Sequence, residues 1–302
     1  MRTARSGRVA LGCLVVAASS PLASALTPDA ARAVEARIHA SGADVALAFR
    51  MLDGSDELFV QPDTSFHAAS TMKVPVMVEL YARVHDGSLK LDDAVPVRNE
   101  FRSLADGSRY ALEAADDSEP SLYARIGSTA TLGELCDKMI TASSNLATNL
   151  LIDVLGAGAI QRQVDALGAR GIKVLRGVED GPAYRAGLNN TTTARGLMLL
   201  MTSIARGDAV DAQASREMAA ILKRQQFNEG IPAGLPAATD VAHKTGELPP
   251  GLRHDAAIVY APRPFVLVVL VRQAADADTS ARLIADLARL LYAASQPPPA
   301  SQ

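Results

Sequence analysis

The sequence predicts an α+β fold, in which both ends of the chain build one antiparallel five-stranded sheet with flanking helices. Runs rich in branched and aromatic residues lie near both termini, whereas the middle of the chain repeats apolar residues at helical spacing. Strands at the two ends with helices between them favour a single sheet and a separate all-helical region. The runs expected to form strands are residues 45–51, 57–60, 240–244, 256–260 and 265–271.

The individual elements follow from local signals. Asp53-Gly54 lies between the first two strands and favours a hairpin turn. Thr27-Pro28 is typical of a helix start, and apolar residues at helical spacing in residues 280–291 predict a closing amphipathic helix. The helices expected in the middle of the chain are residues 132–142, 146–155, 159–167, 193–205 and 214–224.

These elements divide the chain into two subdomains with additional terminal segments. Residues 26–69 and 227–295 are expected to form the sheet subdomain, and residues 70–226 the all-helical one. Residues 296–302 are rich in proline and are expected to be disordered. The segment 94–125 is longer and more polar than a simple connection, so it forms either one wall of a site or a decorated surface loop.

The N-terminus and the composition indicate an exported protein. Residues 1–25 read as a secretory signal, with three arginines, an apolar run at residues 9–16 and a cleavage site at Ala23-Ser24-Ala25. That run is too short to span a membrane. Cleavage leaves 27 basic against 33 acidic residues, a net charge of −6, which gives no reason to expect nucleic acid as a partner. We expect a periplasmic or secreted monomer without stable membrane insertion.

The stretch around Ser70 carries the first chemical motif. Ser70 and Lys73 are one helical turn apart and are followed by apolar residues that bury one side of a helix. A serine hydroxyl needs a neighbour that takes its proton, and a desolvated lysine amine can do so when it is neutral. Alone, this spacing is a weak signal.

Two later clusters make the signal specific. Ser143-Ser144-Asn145 precedes an apolar helix, and Lys244-Thr245-Gly246 follows a strand-like run. The order serine-x-x-lysine, serine-x-asparagine, lysine-threonine-glycine is the pattern of the penicillin-recognising serine hydrolases. From about residue 45 to residue 291 the chain resembles the class A β-lactamases and their relatives.

The resemblance implies a role for each residue of the three clusters. Ser70 is the expected nucleophile and Lys73 its base or proton relay, while the backbone N–H groups of Ser70 and Glu247 stabilise the oxyanion. Ser143 is expected to pass a proton to the departing nitrogen. The residues expected to bind substrate are Asn145 at its amide side chain, Lys244 and Thr245 at its carboxylate, and Gly246, which leaves room along the strand.

The loop that carries the deacylation base departs from the family pattern. The usual Glu-x-x-Leu-Asn is absent, and Glu179, which follows Arg176 closely, is the first candidate for the carboxylate that activates water, with Asp180 second. Asn190 stands where an aspartate is expected to pair with Arg176, so that pair survives only in altered form. Asn149 matches a family position that supports this loop.

These roles leave three functions open. The first is an exported β-lactamase that hydrolyses the lactam amide through an acyl-enzyme, without metal or organic cofactor. The second is a related hydrolase such as a D-alanyl-D-alanine carboxypeptidase, and the third is a penicillin-binding protein that is acylated without turnover. The five histidines lack metal-ligand spacing and are expected to be non-catalytic, although His67 and His243 flank motifs and a minor role at the site stays open for them. Arg253 either adds positive charge for a substrate carboxylate or, as we expect, lies in a surface turn.

Overall fold

A computed structural model describes residues 26–296 and contains the predicted five-stranded antiparallel sheet. The predicted leader and residues 297–302 lie outside the described residues. The strands, numbered here in chain order, are β1 (Asp44–Met51), β2 (Glu57–Val60), β3 (Asp240–Leu248), β4 (Leu252–Tyr260) and β5 (Phe265–Arg272). Their order in the sheet is β2-β1-β5-β4-β3. The first and last strands of the chain are therefore neighbours, with Asp44 opposite Arg272 and Met51 opposite Phe265.

Nine α-helices occur within residues 26–296, and most lie between β2 and β3. The five helices predicted for residues 132–224 begin and end within two residues of the predicted positions. The short helix at Gly181–Arg185 was not predicted, and the closing helix extends beyond the predicted residues 280–291 at both ends. The helices are α1 (Pro28–Ser41), α2 (Lys73–His85), α3 (Leu132–Thr141), α4 (Asn145–Leu155), α5 (Ala157–Ala166), α6 (Gly181–Arg185), α7 (Ala194–Arg206), α8 (Ala212–Leu222) and α9 (Ala277–Ser295). None of these helices has the length and apolarity needed to cross a membrane.

The sheet is buried on both faces, which explains its nearly continuous apolar strands. In β1, Leu47 and Phe49 pack in one core with Leu283 and Leu287 of α9, whereas Ala48 packs in the other core with the helical region. Alternate residues of a strand point to opposite faces. The sheet therefore separates an outer layer of α1 and α9 from α7 and the remaining helices.

Smaller elements complete the connection between sheet and helices. A 3-10 turn at Ala69–Met72 leads into α2, whose first nine residues are buried among α3, α4, α5 and α8. Two-residue ladders pair Phe66–His67 with Thr191–Thr192 and Phe101–Arg102 with Arg109–Tyr110, and a three-residue ladder pairs Ala94–Pro96 with Thr129–Thr131.

Two of the predicted boundaries differ from the structure in a way that affects the site. The strand predicted for residues 240–244 continues to Leu248, because β4 pairs with it as far as Leu252. Lys244-Thr245-Gly246 therefore lies inside an edge strand and does not follow one. The partner strand also begins at Leu252, so Arg253 is a strand residue and the expectation of a surface turn was wrong.

Candidate active site

Ser70 lies in the 3-10 turn at the start of the buried helix α2, beside the edge strand β3. A Cβ atom built on Gly246 would lie 3.0 Å from the Ser70 backbone nitrogen and 3.1 Å from that of Thr71. Only a residue without a side chain allows β3 to pass this close to the turn. Ala69, directly before the serine, has φ 45°, a left-handed conformation that is rare outside glycine and frequent in functional turns.

Ser143 brings the three sequence clusters together. Its Oγ atom is 3.1 Å from Lys73 Nζ and 3.0 Å from Lys244 Nζ, so one hydroxyl lies between the two lysine nitrogens. Lys73 also donates to the Ser143 carbonyl at 2.6 Å and to Asn145 Oδ1 at 2.9 Å. Ser143 has φ 61°, another left-handed residue of the site. The spatial convergence expected from the order of the motifs is thus present.

The two lysines are buried, and no carboxylate among the described residues forms an ion pair with either of them. Lys73 is 1% exposed and Lys244 is 0% exposed. Burial lowers the pKa of Lys73 to about 7, against the opposing effect of Asp117 and Glu179. Burial and the neighbouring Lys73 hold the pKa of Lys244 well below its ordinary value. At neutral pH Lys73 is therefore neutral in a substantial fraction of molecules, as a base must be.

The two carboxylates considered for water activation have different surroundings. Glu179 opens into the cleft and accepts a hydrogen bond from Asn145 Nδ2 at 3.0 Å. Partial desolvation raises its pKa above the ordinary value. Asp180 is fully buried, and its two oxygens accept from the backbone N–H groups of Leu104 and Ala183, each at 3.0 Å. Asp180 therefore caps the N-terminus of α6 and connects this loop to the segment that contains Leu104.

The loop that carries Glu179 is closed by an amide side chain. Asn190 Oδ1 accepts from the backbone N–H groups of Leu175 at 2.7 Å and Arg176 at 3.1 Å, and its Nδ2 donates to the Arg176 carbonyl at 3.0 Å. Asn149 supports the loop from α4, since its side chain bonds both backbone groups of Val178. Asn190 thus takes the place of the expected aspartate by bonding the backbone, not the guanidinium, of Arg176.

The segment 94–125 forms one wall of the site and supplies a residue that motif reading missed. Asp117 is 6% exposed, and its Oδ2 accepts from the backbone N–H of Leu146 at 2.8 Å and from Ser144 Oγ at 3.3 Å. It therefore holds the turn that presents Ser143 and Asn145 at the start of α4. No fixed spacing relates Asp117 to these residues, so the sequence contained no signal for it.

Two connected cavities form the cleft at this site. The larger, about 690 Å³, and the smaller, about 290 Å³, both border Ser70, Asn145 and Glu247. The smaller one also borders Ser143, Thr245, Gly246 and Arg253. Arg253 forms ion pairs with Glu229 at 2.8 Å and Glu247 at 3.3 Å, so its charge is shared with acids at the mouth of the cleft.

His67 and His243 have separate environments. His67 borders the larger cavity, next to the nucleophile turn. His243 is buried and bonds Asp255 at 3.0 Å and Asn228 at 3.2 Å, contacts that tie β3 to its neighbours. Of the two, only His67 faces the cleft.

Comparisons with known proteins agree with this geometry. A profile described as the Beta-lactamase enzyme family matches residues 29–295. The chain is 32% identical over 167 residues to a β-lactamase of Streptomyces albus G, and the match spans about half of either protein, 53% of each. The solved β-lactamase of Sphaerobacter thermophilus superposes with a TM-score of 0.77 at 26% identity, over 90% of this chain and 99% of that one. PBP-A superposes with a TM-score of 0.75 at 26% identity, over 89% and 96%.

The site and the comparisons lead to one assignment. The profile covers nearly all of the described residues, and both solved relatives are matched over almost their full length. Ser143 bonds both lysines and borders the smaller cavity together with Ser70. This chain therefore belongs to the β-lactamase enzyme family, as a hydrolase of the class A-like type.

Proposed function

We propose that this protein hydrolyses the amide bond of β-lactams through an acyl-enzyme on Ser70. The observation that supports the proposal is the placement of the Ser143 hydroxyl between Lys73 and Lys244. Ser70 borders the smaller cavity together with Ser143 and the larger cavity together with Glu179. This arrangement supplies a nucleophile, a base, a proton donor and a carboxylate for water in one place.

Acylation begins at the Ser70 hydroxyl. A neutral Lys73 can donate its two N–H groups to the Ser143 carbonyl and to Asn145 Oδ1, and its lone pair is the group that we propose takes the proton of Ser70. Ser70 Oγ then attacks the lactam carbonyl carbon. The resulting oxyanion is stabilised by the backbone N–H groups of Ser70 and Glu247, which close approach at Gly246 brings together.

Cleavage of the lactam bond needs a proton at the departing nitrogen. Lys244 donates to Ser143 Oγ, so the hydroxyl hydrogen of Ser143 is free to point towards the nitrogen. Ser143 gives up that proton and regains one from the now protonated Lys73, 3.1 Å away. Thr245 borders the smaller cavity and is proposed to bind the substrate carboxylate, with the buried Lys244 directly behind it.

Release of the acyl group requires an activated water. Glu179 is the group we propose for this step, because its carboxylate opens into the larger cavity and is oriented by Asn145. A carboxylate whose pKa is raised takes a proton from water more readily than an ordinary one. Asn145 would thereby orient the substrate side chain, Lys73 and Glu179 together.

The irregular loop favours a second candidate, in which acylation is not followed by rapid hydrolysis. Glu179 has φ 60°, a left-handed conformation, and it does not keep the usual spacing from Arg176. A variant of PBP-A was solved as an acyl-enzyme complex with penicillin-G. In this alternative the protein is a penicillin-binding protein or a D-alanyl-D-alanine carboxypeptidase with the same nucleophile.

Intact-protein mass spectrometry separates these functions. The protein is mixed with benzylpenicillin, a chromogenic cephalosporin and a D-Ala-D-Ala peptide, and the adduct and the products are followed in time. The lactamase proposal expects turnover of the lactams and a transient adduct on Ser70, while Glu179→Gln is expected to slow release by about 10²-fold or more and trap the adduct. A persistent adduct on the unmodified protein, or cleavage of the peptide alone, would reject the proposal.

We also propose that the protein is exported to the periplasm or the medium as a monomer. The support is the leader-like sequence of residues 1–25 and the family of the chain. The mass and N-terminal sequence of protein isolated from cell fractions test it, with Leu26 expected as the first residue. Light scattering tests the monomer.

A further inference from the structure

Arg176 carries a buried positive charge whose hydrogen-bonding capacity is only partly used. The residue is 7% exposed, its Nη1 donates to the Gly177 carbonyl at 3.0 Å, and its Nε atom has no hydrogen-bond partner. Among residues 26–296 no carboxylate lies within ion-pair distance of its guanidinium, and the amide side chain of Asn190 bonds only its backbone. Burial lowers the pKa of Arg176 in spite of the opposing charge of Asp180.

His67 presents a second donor to the same place. The backbone N–H of Ala69 donates to His67 Nδ1 at 3.1 Å, so a neutral ring carries its hydrogen on Nε2. Burial and the charge of Arg176 lower the pKa of His67, which keeps the ring neutral. His67 Nε2 lies 3.5 Å from Arg176 Nη2, so two N–H donors face each other without an acceptor between them.

The nearby acids do not fill this gap. Both oxygens of Asp180 already accept backbone N–H groups, from Leu104 and Ala183. Glu179 accepts from Asn145 on the other side of the loop. Asp180 offsets part of the charge of Arg176. Arg176 Nε is enclosed by the protein, so Arg176 Nη2 and His67 Nε2 are the two donors that an oxygen acceptor from outside the protein can satisfy.

The donors border the half of the cleft that a substrate's acyl side chain would occupy. Arg176 and His67 line the larger cavity together with Ser70 and Asn145. Thr245, which is proposed to bind the lactam carboxylate, lines only the smaller cavity. A substrate whose carbonyl lies at Ser70 and whose carboxylate lies near Thr245 therefore directs its acyl substituent towards Arg176.

We propose that Arg176 and His67 form a subsite for a carboxylate carried on the acyl side chain of the substrate. The preferred substrates are then β-lactams with an anionic acyl substituent, whose carboxylate accepts from Arg176 Nη2 and from His67 Nε2. This inference rests on the proposed function, since it assigns the orientation of the lactam from Ser70 and Thr245.

Binding to a Ser70→Ala protein tests the subsite separately from turnover. Benzylpenicillin and carbenicillin differ by one carboxylate on the acyl side chain, and calorimetry gives the dissociation constant of each. Carbenicillin is expected to bind at least tenfold more tightly. Adding Arg176→Met is expected to remove this preference, whereas adding Arg170→Met, which replaces an exposed arginine of the preceding turn, is expected to preserve it.

A second variant covers the case in which Arg176→Met does not fold. His67→Asn retains an oxygen that can accept from the Ala69 N–H but lacks the Nε2 donor. It is expected to reduce the carbenicillin preference threefold or more. Equal binding of the two penicillins, or a preference that survives both substitutions, overturns the subsite. Failure of the unmodified protein to turn over benzylpenicillin rejects the proposed function instead, and leaves the binding result to decide the subsite.

Discussion

Asp117 Oδ2 accepts a hydrogen bond from the backbone N–H of Leu146 at 2.8 Å, and this bond fixes the start of α4 against the segment 94–125. A carboxylate at a helix N-terminus is favourable because it satisfies free N–H groups and opposes the helix dipole. The same charge acts on Lys73, where it opposes the lowering of the lysine pKa by burial.

Replacement of this carboxylate should change both rate and pH dependence. In Asp117→Asn the turn of Ser143 and Asn145 loses its anionic acceptor, so we expect kcat/KM for benzylpenicillin to fall about tenfold or more. Loss of the charge also lowers the pKa of Lys73 further, so the acidic limb of the pH profile should move to lower pH. Asp106→Asn, an exposed acid of the same segment, is the control. A lower rate with an unmoved limb would limit Asp117 to a structural role.

The pH dependence of acylation should report Lys73. Because its pKa lies at about 7, the neutral base is lost as the pH falls below that value, and the acylation rate of Ser70 should rise through an inflection near pH 7. Lys73→Arg keeps the charge at every pH and should lower the rate about 10²-fold or more without an inflection. Stopped-flow acylation measures both, and an arginine variant with the original profile would exclude Lys73 as the base.

The lowered pKa of Lys73 also affects the stability of the fold. The unfolded chain binds a proton at Lys73 below its ordinary pKa of 10.5, whereas the folded chain binds it only below about 7. The contribution of Lys73 to the free energy of unfolding should therefore decrease as the pH falls from 10.5 to 7 and level off below that. Denaturation of the wild type and of Lys73→Met across this window measures the difference.

Asn190 should stabilise the loop without help from charge. Its side chain makes three hydrogen bonds to backbone groups, each worth about 1 kcal/mol, so Asn190→Ala should lower the free energy of unfolding by about 2–3 kcal/mol. Asn189→Ala is the matched control, because the Oδ1 atom of Asn189 has no partner. Equal losses in the two variants would contradict this role of Asn190.

Gly246 should be intolerant of a side chain. In Gly246→Ala the new methyl group meets the backbone nitrogens of Ser70 and Thr71 at 3.0 and 3.1 Å, so β3 must move away from the nucleophile turn. The oxyanion donors then separate, and kcat/KM should fall about tenfold or more. In the control Gly158→Ala, the nearest atom is on the flexible Arg162 side chain at 3.7 Å, and activity should be unchanged.

The sequence predicted the parts of the site that motifs encode, and missed those that depend on tertiary contacts. Ser70, Lys73, Ser143 and Lys244 follow from the order of three short patterns. In the structure Ser143 bonds both lysines and shares a cavity with Ser70, while their catalytic roles stay predictions. Asp117 comes from a segment without a motif, so only its contact with Leu146 reveals it.

Local patterns also fail where partner strands or irregular backbone decide the structure. The strand predicted to end at residue 244 runs to Leu248 because pairing with β4 extends it. Residue spacing alone could not decide whether Glu179 or Asp180 faces the cleft, since Glu179 has a left-handed backbone and the Asp180 side chain turns inward to cap α6.

The pairing of β1 with β5 has a consequence for biogenesis. β1, which begins at Asp44, pairs with β5 (Phe265–Arg272). During synthesis this pairing is therefore possible only after nearly the whole chain has been translated. The edge strand with Lys244 joins the sheet only through β4, which itself pairs with β5. A nascent or C-terminally truncated chain without β5 therefore lacks the central strand of the sheet that holds Lys244 against Ser143. We expect the active site to form only after β5 has been translated.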